Sequence, residues 1–168
     1  MERISKYLSY SECTKSEYAI RKGIDNTPNE AQKAAMIHVA LTIFDYIREK
    51  IGGALYASSF FRSPAVNIGI GGAKNSQHCK GEAIDMDADK FGHGTNKMIF
   101  FLIMHELVFD QCIAEFPDEN GMPSWVHVSL VDEKVAGRKN RKEVLVARKD
   151  SNGDTKYLPY SHGDLGTN

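Results

Sequence analysis

The sequence is poor in cysteine, in long apolar runs and in surplus charge, and each shortage removes a class of protein. Three cysteines in 168 residues, Cys13, Cys79 and Cys112, are an odd number, and none forms a Cys-x-x-Cys pair. A disulfide framework is excluded, and the three read as structural or incidental thiols. No apolar run approaches the roughly 18 residues of a transmembrane helix, so no membrane partner is expected. Lys+Arg number 21 against 22 Asp+Glu, a net charge of −1. Neither phosphate nor anionic lipid finds a large cationic field there, and no nucleic-acid partner is expected. The first residues, Met1-Glu2-Arg3-Ile4-Ser5-Lys6, hold no long apolar segment and no small-residue cleavage site. The expectation is a product made in the cytoplasm without a secretory signal.

What is present is enough apolar material, 42% of residues, for one core without disulfide or oligomer support. We expect one monomeric domain over residues 1–168, with a loose polar tail from Ser161. Residues 5–26 read as one or two short helical turns. In Thr27-Pro28-Asn29-Glu30, Thr27 is expected to cap a helix, with Glu30 reaching back and Pro28 at the first helical position. Behind it Met36/Ile37, Ala40/Leu41, Ile43/Phe44, Ile47 and Ile51 recur at three- and four-residue steps, which predicts a long core helix ending at Gly52-Gly53. Strands are expected at 54–61, 83–87, 110–116 and 124–130. A short helix should begin at Ser63-Pro64, and a buried one should span 96–107. A last hairpin should pair 143–148 with 155–160 about Asn152-Gly153. Without regular βαβ units the class is α+β, a small mostly antiparallel sheet with flanking helices.

Chemistry concentrates in two segments. In Ser76-Gln77-His78-Cys79-Lys80-Gly81-Glu82-Ala83-Ile84-Asp85, an extended stretch from Ala83 puts Asp85 and Asp87 on one face and Ile84 and Met86 on the other. In Ser124-Trp125-Val126-His127-Val128-Ser129, alternation places Trp125, His127 and Ser129 opposite the apolar Val126/Val128/Leu130 face. Two imidazoles and a carboxylate form a three-ligand set with a fourth position open, the pattern of catalytic rather than structural zinc. Spacing alone is a weak signal, because a His-x6-Asp pair and a distant His arise readily by chance.

The residues themselves say more. SQHCKGEAID resembles the Ser-x-His-x-x-Gly-x-Ala-x-Asp signature of the zinc D-Ala-D-Ala carboxypeptidase and L-alanyl-D-glutamate endopeptidase family of peptidoglycan peptidases, with Ser76, His78, Gly81, Ala83 and Asp85 at its fixed positions. SWVHVS is similar to the family's Trp/Ile-x-His strand, and Ser59-Phe60-Phe61-Arg62-Ser63 to its Ser-Gly-Tyr-Arg-Ser element, with two aromatics in place of Gly-Tyr. The likeness runs from about residue 8 to 160, in the order of small phage endolysin-like members. It implies a Hedgehog/D-Ala-D-Ala-peptidase-like fold and one Zn2+ held by His78, Asp85 and His127. It also implies that Arg62 holds a substrate carboxylate or carbonyl through its planar fork. Ser76, Gln77 and Trp125 would border the substrate, and Asp87 and Ser129 would support the ligands from behind.

One departure bears on catalysis. Many members carry an acid three residues before the last His, and here that position is Ser124. Folding the hairpin about Asn120 pairs Glu115 with Trp125 and Ile113 with His127, which brings Glu115 to the His127 face and makes it the expected general base. Asp118 and Glu119 are the alternatives. His38, His93, His105 and His162 are expected outside the site. Cys79, next to His78, is poorly placed to share one ion with it. The implied activity is zinc-dependent hydrolysis of a stem-peptide bond, of D-Ala-D-Ala carboxypeptidase, L-Ala-D-Glu endopeptidase or cross-link endopeptidase type. It would serve phage or prophage lysis after holin release or virion delivery. The competing reading is a catalytically silent zinc module that recognises wall peptides or a protein partner, and the missing acid at Ser124 is its main support.

Overall fold

The computed structural model describes residues 2–166. Six strands form one sheet in the order β1-β2-β4-β3-β5-β6: β1 Tyr56–Ser59, β2 Ala83–Asp87, β3 Gln111–Glu115, β4 Trp125–Ser129, β5 Glu143–Lys149 and β6 Thr155–Pro159. Neighbours run antiparallel except β3 and β5, which are parallel. The class is α+β with a mostly antiparallel sheet, as the sequence pattern implies.

Period-2 alternation in the central strands selects the buried face. Ile84, Met86, Cys112, Ala114, Val126, Val128 and Val146 are all inaccessible to solvent and pack against two helices. One helix runs through Glu30–Val39, a π-helical turn Ala40–Phe44 and Asp45–Lys50. It supplies Met36, Val39, Ile43, Phe44 and Ile47 to the core. Its capping residue is Asn29, not Thr27. The Asn29 Oδ1 accepts from the Gln32 N–H at 2.9 Å and the Gln32 Oε1 accepts from the Asn29 N–H at 2.7 Å, a reciprocal capping box displaced two residues from the expected one. The Thr27 hydroxyl is already committed to Asp25. The other packing helix, Asn96–Glu106, is capped by the Thr95 hydroxyl and buries Ile99, Phe100 and Ile103.

The expected loose tail is a second correction. Leu165 is fully buried in the main core, and the Arg148 Nη2 donates to the Asp164 carbonyl at 2.8 Å. Gly121 makes this docking possible, because a Cβ there would fall 2.2 Å from the Leu165 backbone. One apolar residue in a polar tail is enough to hold it when a cleft without side chains faces it. Thr167 and Asn168 lie outside the described residues.

Candidate metal and catalytic site

The sheet's other face carries the polar constellation. The β2–β4 register sets Asp85 opposite His127, so antiparallel pairing alone brings a carboxylate and an imidazole from distant sequence side by side. His78 comes from a 3-10 turn, Gln77–Lys80, closed by Gly81 at φ 73°. A Cβ on Gly81 would lie 2.4 Å from the Gln32 carbonyl oxygen, so glycine is required both for the left-handed backbone and for the close approach to the long helix. The Gln32 Nε2 donates to the Cys79 carbonyl at 2.9 Å, which fastens the turn from the same side.

Three ligand atoms converge. His78 Nε2 lies 3.2 Å from Asp85 Oδ1 and 3.2 Å from His127 Nδ1, and the last two are 2.9 Å apart. Donors about 2.0–2.2 Å from a tetrahedral zinc stand roughly 3.3–3.5 Å from one another, and the observed triangle is close to that. The tautomer of His78 is dictated by its other nitrogen: Nδ1 lies 2.6 Å from the Phe60 carbonyl oxygen, which can only accept. The proton therefore sits on Nδ1, and Nε2 turns a lone pair toward Asp85 and His127. Burial keeps the His78 pKa below its usual value, against the pull of Asp85. Burial alone would raise Asp85, but the two imidazoles hold its carboxyl well below the usual range. A neutral imidazole and an ionised carboxylate facing one point suit a cation. His78, Asp85 and His127 are also the one group of metal-ligating side chains found together among the described residues.

Glu115 shares this face through the β3–β4 register, Glu115 with Trp125 and Ile113 with His127. It is 6% exposed, and burial raises its pKa to about 7, with Asp85 adding to the rise and His127 and Arg62 opposing it. Ser124 lies outside the cavity, its hydroxyl donating to the Phe116 carbonyl at 3.1 Å. The carboxylate that Ser124 lacks is thus present on the adjacent strand. Asp118 spends its carboxylate on the Asn120 and Met122 amides of the loop, and neither it nor Glu119 borders the cavity.

A cavity of about 670 Å³ opens over these groups, bordered by Arg62, Ser76, Gln77, Trp125 and Tyr157. The Arg62 Nε is buried without a hydrogen-bond partner among the described residues. Gln77 borders the cavity, but its Nε2 donates to Asp110 Oδ2 at 2.9 Å, so its amide N–H is engaged elsewhere. Trp125 packs against Phe116, ring centroids 5.4 Å apart.

Two supporting residues expected from sequence are placed otherwise. The Asp87 Oδ1 accepts from the Asp89 and Lys90 amides and from Asn96 Nδ2. Asp87 thus fixes the following loop, and no hydrogen bond joins it to His78 or His127 among the described residues. The Ser129 Oγ accepts from the Gln111 N–H at 3.0 Å, one turn of the pleat away from His127, and stitches β3 to β4. The group that orients His78 is a backbone carbonyl, which no side-chain pattern could reveal.

Tyr157, which borders the cavity, and Asp110, which bonds to Gln77, are positions around the site that the sequence pattern does not announce. Tyr157 reaches the cavity because β6 pairs with β5 (Tyr157 opposite Ala147) and β5 lies parallel to β3 (Ala147 opposite Glu115). No local signal marks that parallel pairing. Asp110 is fully buried and receives Arg141 Nε at 3.0 Å, Arg141 Nη2 at 2.6 Å and the Gln77 amide. His93 packs against Gly53 and His105 stacks on Phe101, both away from the cavity.

No curated protein matches this sequence. The peptidase M15 family matches residues 6–116, a span that contains Arg62, His78, Asp85 and Glu115, with His127 supplied by the strand that follows. M15 enzymes are zinc-dependent, and the His-Asp-His group here fits that ion. The chain belongs to the peptidase M15 family of zinc metallopeptidases.

Proposed function

We propose that this enzyme hydrolyses a peptide bond in peptidoglycan stem peptides. The carrying observation is the convergence of His78, Asp85 and His127 on one point, in a cavity that also holds a buried glutamate and an arginine whose Nε has no partner among the described residues. Zinc held there supplies electrostatic polarisation of a substrate carbonyl and a lowered pKa for water.

The rest of the reaction belongs to this chain's own groups. Glu115, buried and bordering the same cavity, would take the proton of the attacking water and return it to the departing amine as the C–N bond breaks. Arg62 offers a planar fork to a carboxylate or to the developing oxyanion, which suits a substrate with a free C-terminus near the scissile bond. Trp125 and Tyr157 form the walls that limit water and orient the peptide.

The resemblance to small phage endolysin-like members supports a lysis role, with delivery to the wall by a holin or within a virion. A silent binding module is disfavoured, since its main support was the missing acid, and Glu115 borders the same cavity. The test is mass spectrometry of fragments released from purified peptidoglycan by the zinc-loaded enzyme, with and without chelator. The expected result is new peptide termini at one bond type, absent with chelator and restored by zinc. Undiminished release after thorough metal stripping would reject the reading.

A further inference from the structure

The groups that border the metal-site cavity come from opposite ends of the sheet. Arg62 follows β1 at one end, Asp85 and His127 stand on β2 and β4, Glu115 on β3, and Tyr157 on β6 at the other end. Register sets Trp125, Glu115, Ala147 and Tyr157 in one row across four strands. Neighbouring strands lie about 4.8 Å apart, so the Cα atoms of Glu115 and Tyr157 are roughly 10 Å from each other. Ala147 between them carries only a methyl group, so no long side chain stands between Glu115 and Tyr157 in that row. The next row, Ile113, Leu145 and Pro159, gives this half of the cavity an apolar floor. Past that floor, Gln111 Nε2 donates to Glu143 Oε2 at 2.6 Å and Arg141 Nη1 pairs with the same oxygen at 3.1 Å, so these groups are occupied with one another. Tyr157 is half-exposed at the cavity wall, and its hydroxyl makes no hydrogen bond among the described residues. Burial raises its pKa, with Glu115 and Asp85 adding to the rise and Arg62 opposing it. The phenol therefore keeps its proton at neutral pH and remains a donor.

We propose that Tyr157 is a specificity-determining residue, whose hydroxyl donates a hydrogen bond to the carbonyl or carboxylate oxygen of the residue that leaves with the amine. This rests on the peptide-hydrolysis reading above. In that reading Glu115 returns a proton to the departing nitrogen, so that nitrogen lies within hydrogen-bond reach of β3. The scissile carbonyl lies toward the ligands on β2 and β4. The line from carbonyl to nitrogen therefore runs outward across the sheet, and the leaving residue continues over Ala147 toward Tyr157. Arg62 stands at the opposite end, on the carbonyl side. An apolar floor does not replace the hydrogen bond that the leaving residue's oxygen makes with water, so a donor in the wall is needed there. Tyr157 is that donor. A phenol serves an amide carbonyl and a free carboxylate alike, and the size of its effect separates the two.

The test is Tyr157→Phe, zinc-loaded, on pairs of synthetic stem peptides, one pair for each candidate bond. In each pair one peptide is intact, and the other has its leaving residue cut back to an alkylamine without the carbonyl or carboxyl carbon. On the intact peptide of the bond that is cut, kcat/KM should fall about three- to tenfold where the acceptor is an amide carbonyl. Where it is a free carboxylate the fall should be about ten- to a hundredfold. On the truncated peptide the variant should stay within about twofold of wild type. Equal losses on both peptides, or no loss on either, would overturn the proposal. Zinc content and the urea midpoint should match wild type, because the deleted oxygen has no protein partner; a lowered midpoint would overturn the proposal as well. Calorimetry with the same pairs on zinc-loaded Glu115→Gln protein, with and without Tyr157→Phe, should repeat the pattern in affinity. Wild-type enzyme that cleaves neither these peptides nor intact wall would count against the hydrolytic reading, while the calorimetric comparison would still decide the role of Tyr157.

Discussion

Glu115 is the residue on which chemistry and stability pull in opposite directions. In metal-free protein, burial raises its pKa from 4.5 to about 7, so the folded state holds the proton more tightly than the unfolded chain. The contribution of Glu115 is therefore most favourable below about pH 4.5, and it is lost as pH rises from there through 7. Glu115→Gln removes the charge and keeps the shape. In chelator-treated protein, urea unfolding should find the variant equal to wild type near pH 4.5 and more stable at pH 8 by up to roughly 3 kcal/mol. A variant less stable than wild type at pH 8 would contradict the buried charge. With zinc supplied, the same variant should keep its metal and lose turnover by at least about a hundredfold, the scale of a general base. Unimpaired turnover would return the role to another group.

Between elements, the turn that presents His78 is braced by Gln77, whose amide meets the buried Asp110 carboxylate. Arg141 holds that carboxyl down at about 2 against the opposing effect of burial. Its contribution is fully present above about pH 4 and fades as pH falls toward 2. Asp110→Ala should cost about 2–3 kcal/mol in urea unfolding at pH 7, because it leaves Gln77 and Arg141 without their shared acceptor. It should also weaken zinc binding, read by competition with a chromophoric chelator. Unchanged zinc affinity would show that the brace stops short of the metal site. The β3–β4 register was legible in the sequence, because alternation plus a turn about Asn120 leaves one pairing that keeps Val126 and Val128 inside. The β3–β5 pairing was not, since two parallel strands separated by a long connection leave no mark on either strand's own pattern. Tyr157 stays hidden for that reason. The helix cap falls two residues from its expected place because Thr27 and Asn29 are both competent caps, and only the side-chain contact of Thr27 with Asp25 decides between them.

Across the whole molecule the sheet separates two tasks, one face packing on helices and the other holding the site. The division follows from period-2 alternation in β2, β3 and β4, and this much could be read directly. The C-terminal segment could not, because composition marks it as polar and the burial of Leu165 depends on a glycine 44 positions earlier. Leu165→Ala should therefore cost about 2–4 kcal/mol, measured by denaturant unfolding, where an undocked tail would give close to zero.

The proposed chemistry depends on one zinc ion, for which His78, Asp85 and His127 are the proposed ligands. Metal analysis of purified protein by plasma mass spectrometry, alongside His78→Ala, Asp85→Ala and His127→Ala, puts that sharing to the test. The predicted result is about one zinc per chain in wild type and less than about a tenth of that in each variant, with the fold retained by circular dichroism. Zinc held at one per chain by any folded variant would contradict it.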